Sequence, residues 1–172
     1  MEIRGVGEFL NYFNKVHQRT INVVSAIPRD KVDWQFREGK FTLGDLVRHI
    51  AAANRYIFVE IARGRPSSYN GCGKDLAASY EEIVEFAERL REEDVEILSG
   101  FGEAELNRKC VTPDGVSITS WKWLRSMIEH EVHHRGQIYT YLALLKAPTP
   151  ALYGLTSEQV QQRSRAALAR IP

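Results

Sequence analysis

The chain of 172 residues contains 23 lysines and arginines against 22 aspartates and glutamates, which leaves a formal net charge of +1. This length predicts one domain over residues 1–172, and the near-neutral balance provides no basic field for nucleic acid. No apolar run approaches the roughly 20 residues of a membrane span, and residues 1–4 lack the apolar segment of a signal peptide. We therefore expect a cytoplasmic protein with no nucleic-acid or membrane partner, in which Cys72 and Cys110 remain reduced.

Apolar residues recur at helical spacing in four long segments of the chain. These segments predict helices over residues 6–27, 42–63, 79–99 and 121–146. Shorter patterns predict a C-terminal helix over residues 156–169 and a strand over residues 107–111. Four long amphipathic helices without a strong strand pattern predict an all-α four-helix bundle with a short extra C-terminal helix. The pattern alone does not choose between an up-down order and a crossover topology.

Histidines are concentrated in the last long helix, where three of the five lie within residues 130–134. His130 and His134 are four residues apart, so they share one face and both can reach one metal ion. The helical wheel places His133 on a different, solvated face. His49, at the edge of the apolar face of the second helix, is the candidate third ligand. The isolated His17, on the apolar face of the first helix, is interpreted as a core residue rather than a ligand.

Glu131 falls near the middle of the apolar arc of the last helix, where a carboxylate needs a partner. Arg135 lies one turn later, in the favourable order for an ion pair, and Asn54 lies on the inner face of the second helix. An internal ion pair with Arg135 is the structural interpretation of Glu131. The catalytic interpretation is a proton acceptor, or a carboxylate that orients His49.

Residues 130–134 also match the HExxH signature of metalloproteases, in which the glutamate is the general base. That signature requires a third ligand further along the chain. No histidine follows His134, and the only later glutamate, Glu158, lies at a predicted helix start. The sequence therefore does not favour a protease.

Two stretches, GKFTLGDLVRHI at residues 39–50 and HEVHHRGQI at residues 130–138, resemble the DinB superfamily of metal-binding bundles. The helix order and LYGL at residues 152–155 are also similar to this family of DinB and YfiT-like proteins. The resemblance implies a crossed bundle with one divalent metal, nickel or zinc, bound by His49, His130 and His134. It also implies a homodimer, for which the exposed aromatic candidates are Trp34, Phe101 and Trp121.

Several members of that family are transferases or isomerases that use bacillithiol, mycothiol or glutathione. Three histidines leave an open position at a metal, where water or a thiol binds with a lowered pKa. The resemblance therefore implies a thiol-dependent S-transferase or a hydrolase that acts on a small electrophilic molecule. The alternative is a module in which the metal only joins the helices.

Overall fold

Helices make up most of the structure, a computed structural model that describes residues 3–169. They are α1 (Val6–Val24), α2 (Leu43–Ala53), α3 (Glu60–Ala62), α4 (Tyr80–Ser99), α5 (Glu103–Asn107), α6 (Ser120–Leu144) and α7 (Ser157–Leu168). A π-helical segment, Asn54–Val59, joins α2 to α3, and a 3₁₀ turn, Arg29–Lys31, follows α1. The strands β1 (Lys109–Val111) and β2 (Ser117–Thr119) pair antiparallel, with Cys110 opposite Ile118.

The helix starts follow from side-chain capping. Capping boxes form at Thr42, Ser79 and Thr156, the three residues at which the sequence predicted helices to begin. At the end of α1, the backbone N–H groups of Ala26 and Ile27 bond three residues back instead of four. The last turn therefore tightens and α1 ends earlier than residue 27, where the sequence predicted its end.

Two local predictions are corrected by the structure. The second long helix is not uniform, because a π-helical segment begins at Asn54. The predicted strand starts at Lys109 rather than at residue 107, since Asn107 ends the short helix α5. The turn around Gly115, which has a φ of 85°, returns the chain to β2.

The main helix packing defines a crossed four-helix bundle. α1 packs against α4 and α6, and α2 packs against the same two helices. α1 and α2 therefore occupy diagonally opposite corners of the bundle. α4 and α6 occupy the other two corners, which are also diagonal to each other. The prediction of a four-helix bundle is confirmed. Among residues 3–169, no helix is long and apolar enough to cross a membrane.

The long connection after α1 folds back onto the bundle. The rings of Trp34 and Phe36 lie 5.3 and 5.7 Å from that of Tyr141. Trp34, Phe101 and Trp121 are half-buried and pack against the core. They are therefore not the exposed aromatic residues that the sequence suggested.

Candidate metal centre

Three imidazoles converge where α2 packs against α6. His49 comes from α2, and His130 and His134 come from successive turns of α6. One ligand nitrogen from each ring lies within 4.8 Å of the others, and His49 Nε2 is 3.1 Å from His130 Nε2. Metal–nitrogen bonds are about 2.0–2.1 Å long, so three nitrogens this close can share one ion. The structure brings together the three histidines that the sequence selected.

Two of these rings are oriented from behind by neighbouring side chains. His134 Nδ1 donates to Gln137 Oε1 at 2.8 Å, which leaves its Nε2 as the lone-pair nitrogen. His49 Nδ1 lies 2.7 Å from the hydroxyl of Tyr69. Such contacts fix the tautomer and the direction of a metal-binding histidine. Among the described residues, His130 Nδ1 is buried without a hydrogen-bond partner.

Burial keeps the three rings neutral. Desolvation and the proximity of His134 lower the pKa of His49 to about 4. Desolvation, followed by the neighbouring histidines, lowers the pKa of His130 to about 3. Burial also lowers the pKa of His134, against the opposing effect of its bond to Gln137. At neutral pH the cluster therefore presents neutral imidazoles, the form that binds metals.

Aromatic side chains form the surroundings of the cluster. The ring of Phe41, 40% exposed, lies 5.2 Å from that of His49 and 6.4 Å from that of His134. The ring of Phe58 lies 5.3 Å from that of His130 and packs at a tilt against the half-buried Trp123, at 4.7 Å. The three histidines thus lie beside an apolar wall that Phe41 extends to the solvent.

Comparisons with known proteins identify the family. The sequence profile of the DinB superfamily matches residues 12–138, more than half of the chain. This chain belongs to the DinB superfamily. YjoA from Bacillus subtilis is 23% identical to this DinB protein over 139 residues, which cover 80% of this chain and 86% of YjoA.

Solved DinB-like structures share the fold. A DinB-like protein from Bacillus cereus superposes with a TM-score of 0.73 at 19% identity, covering 87% of this chain and 99% of that protein. YfiT from Bacillus subtilis is described as a probable metal-dependent hydrolase with an unusual four-helix bundle topology. It superposes with a TM-score of 0.65 at 16% identity, covering 82% of this chain and 87% of YfiT.

Glu131 of this DinB protein is fully buried, and its partners come from two other helical segments. Thr20 Oγ1 donates to its Oε1 at 2.7 Å, and Asn54 Nδ2 donates to its Oε2 at 3.1 Å. His17 Nδ1 lies 3.3 Å from Oε1. Burial raises the pKa of Glu131, but His17, Thr20 and Asn54 outweigh it and hold the pKa below its ordinary value.

The predicted ion pair between Glu131 and Arg135 is wrong. Arg135 is buried, and its Nη1 donates to the Val16 carbonyl at 3.1 Å instead. Arg135 thus fastens α6 to α1, while Asn54 remains beside Glu131 as predicted. Because the Glu131 oxygens are held by α1 and Asn54, the geometry opposes a general-base role and the HExxH interpretation.

His133 lies on the exposed side of α6, as predicted. Its Nε2 is 3.3 Å from Gln137 Nε2, and its ring centroid is 4.8 Å from that of His134. His133 is not part of the group of ligand nitrogens that lie within 4.8 Å of one another.

The sequence did not reveal the segment that supports His49. Arg48, fully buried, donates from Nε to the Cys72 carbonyl at 2.8 Å and from Nη1 to the Ala77 carbonyl at 2.7 Å. This clamp holds the loop that places Tyr69 behind His49, with the Cys72 thiol beside the Tyr69 hydroxyl. Burial raises the pKa of Cys72 despite its bond to Tyr69, so the thiol is protonated and unreactive at neutral pH.

Helical spacing contained the signal for one missed residue. Gln137 lies three residues after His134 and four after His133, so it must share their side of α6. Nothing comparable points to Tyr69, which lies in a loop 20 positions after His49.

Replacing His134 by alanine should abolish stoichiometric binding of a divalent metal, because two imidazoles remain where three are needed. His133→Ala is the matched control on the same helix and should bind metal normally. Isothermal titration with untagged, metal-free protein measures both. Equal loss in the two variants would refute the ligand assignment.

Tyr69→Phe should weaken metal binding by roughly 10- to 100-fold, since His49 loses the group that orients its ring. Tyr153→Phe removes a hydroxyl from a tyrosine that is 77% exposed and should leave the affinity unchanged. Competition with a chromogenic chelator measures both affinities. An unchanged affinity for Tyr69→Phe would exclude an orienting role.

Glu131→Gln should retain metal binding but destabilise the fold by about 2 kcal/mol, because hydrogen bonds to a buried charge are lost. Glu129→Gln, on the exposed side of the same helix, should cost less than about 0.5 kcal/mol. Urea unfolding at pH 7 compares the two variants. A fully stable Glu131→Gln variant that binds metal but has lost turnover would instead support a catalytic glutamate.

Proposed function

We propose that this DinB protein is a metal-dependent enzyme that activates water or a thiol for attack on a small electrophilic molecule. The observation that carries the proposal is the cluster of three neutral imidazoles, with ligand nitrogens within 4.8 Å of one another, beside a partly exposed aromatic wall. His49, His130 and His134 are its metal ligands.

The donor set fits nickel or zinc. Imidazole nitrogen is a good ligand for both ions, and the ligand cluster contains histidines only. Three protein ligands leave a position open, as in catalytic rather than structural sites. Such an ion, when bound, supplies Lewis acidity that lowers the pKa of a water or thiol at the open position.

The protein's own residues have two roles at this site: some hold the ligand rings, and others favour a class of substrate. Tyr69 and Gln137 keep two ligand rings in place, so little reorganisation is needed when the site is filled. Phe41, beside His49, and Phe58, beside His130, provide an apolar surface next to the histidines. This wall favours a substrate whose electrophilic centre is attached to an apolar or aromatic group.

The nucleophile separates two reaction classes. The description of YfiT as a probable metal-dependent hydrolase supports water as the nucleophile. The family resemblance supports a low-molecular-weight thiol, such as bacillithiol, mycothiol or glutathione, and S-transfer. Cys72 does not compete as a nucleophile, because burial raises the pKa of its thiol.

The test begins with the metal content of protein purified without a histidine tag. Nickel- and zinc-loaded protein is then assayed with an aromatic ester, to detect hydrolysis, and with an aromatic electrophile plus each thiol, to detect S-transfer. We expect turnover in one assay, its loss in His49→Ala, and its retention in His133→Ala.

Phe41→Ala should raise KM for the aromatic ester by roughly tenfold, equivalent to about 1.4 kcal/mol of lost contact. An aliphatic ester of similar reactivity provides the control and should be affected less. Metal-loaded wild type that is no faster than His49→Ala would refute catalysis and leave a metal that only joins the helices.

A further inference from the structure

A small chamber with a mainly apolar lining and a few polar groups lies in the core of the bundle, and none of the three clustered histidines lines it. It is enclosed by α1, α2 with its π-helical extension, and α4. Its volume is about 20 Å³. Its polar lining consists of His17, Thr20, Asn54, Arg91 and Asp94.

Several polar atoms of this lining have no hydrogen-bond partner among the described residues. They are His17 Nδ1, Asn54 Oδ1, Asp94 Oδ1, Arg91 Nε and Arg91 Nη1. Asp94 is 1% exposed and Asn54 is 3% exposed, so bulk water does not reach these groups. Buried polar atoms without a partner are costly, and native proteins satisfy nearly all of them.

We propose that the chamber binds a single water molecule that hydrogen-bonds to Asp94, Asn54 and Arg91. Its volume exceeds the roughly 10–15 Å³ that one water requires, and a buried water typically makes about three hydrogen bonds. The Arg91 guanidinium disfavours a cation in the chamber, and the Asp94 carboxyl disfavours an anion. Water both donates and accepts, so it suits the acceptor on Asn54 and the donors on Arg91 together.

Water also suits either protonation state of Asp94. Burial raises the pKa of this carboxyl group well above its ordinary value, although Arg55 and Arg91 oppose the shift. A charged Asp94 accepts from the water, and a neutral Asp94 donates to it.

The water completes a chain across the bundle. It bonds to Asn54 through Oδ1, while Asn54 Nδ2 donates to Glu131 on α6. Asp94 lies on α4, which occupies the corner diagonal to α6. The chain Asp94–water–Asn54–Glu131 thus connects two helices that have little direct packing.

A crystal structure of the wild-type protein tests the proposal directly. We expect one ordered water about 2.5–3.2 Å from Asp94 and from Asn54 or Arg91. An empty chamber, a direct Asp94–Arg91 bond that closes it, or a cation identified by its coordination distances would each overturn the proposal.

A pair of variants tests it in solution. Ala87 lines the chamber from α4, and threonine and valine there have the same shape and similar helix propensity. We expect Ala87→Val to have a Tm at least about 2–4 °C below that of Ala87→Thr, because its methyl displaces the water and supplies no hydrogen bond. A dry chamber predicts the reverse order. Equal or reversed Tm values would overturn the proposal, and if neither variant folds the wild-type crystal structure decides.

Discussion

A carboxylate buried inside a helical bundle is costly unless donors from other helices bond to it. The packing of this molecule depends on satisfying that requirement at Glu131. Its partners are Thr20 and His17 from α1 and Asn54 from the end of α2. Because Glu131 neighbours His130 on α6, fixing its carboxylate also fixes the rotation of α6 about its own axis. The same contact through Asn54 fixes α2, which carries His49. The contacts of Glu131 thus help to hold the imidazoles of α2 and α6 together.

The π-helical segment that begins at Asn54 is part of this arrangement. An α-helical continuation would bond each N–H four residues back, whereas the π-helical turn inserts an extra residue and changes the direction in which the later side chains of the helix point. Asn54 is 3% exposed with its amide on Glu131, and Phe58, in the same segment, packs beside His130. This one π-helical segment thus supplies both a hydrogen-bond donor to the Glu131 carboxylate and part of the apolar wall beside the histidine cluster. Segments of this kind are frequently found at functional sites.

How well each contact of the site could be predicted depended on how far apart its residues lie along the chain. The spacing of His130 and His134 is set within one helix, so the sequence was sufficient to pair them. His49 needed the family resemblance, because nothing in the pattern of α2 distinguishes a ligand from an edge residue. Arg135 was misassigned because a favourable i,i+4 pair competed with a tertiary acceptor, the Val16 carbonyl, that only the packing of α1 against α6 provides. Tyr69 depends on a loop held by Arg48, whose contacts to backbone carbonyls leave no pattern in the sequence.

The HExxH match illustrates the same physical point. Successive residues of a helix are rotated by about 100°, so the glutamate of such a motif does not share a face with the preceding histidine. In a metalloprotease the surrounding fold brings that glutamate to a water at the metal. Here α1 covers it, and Thr20 and His17 contact its Oε1. The residues of the motif therefore have two different roles. His130 and His134, the first and the last, face His49. Glu131, the second, joins α6 to the core. A helix motif acquires its chemistry from the elements that pack on each face.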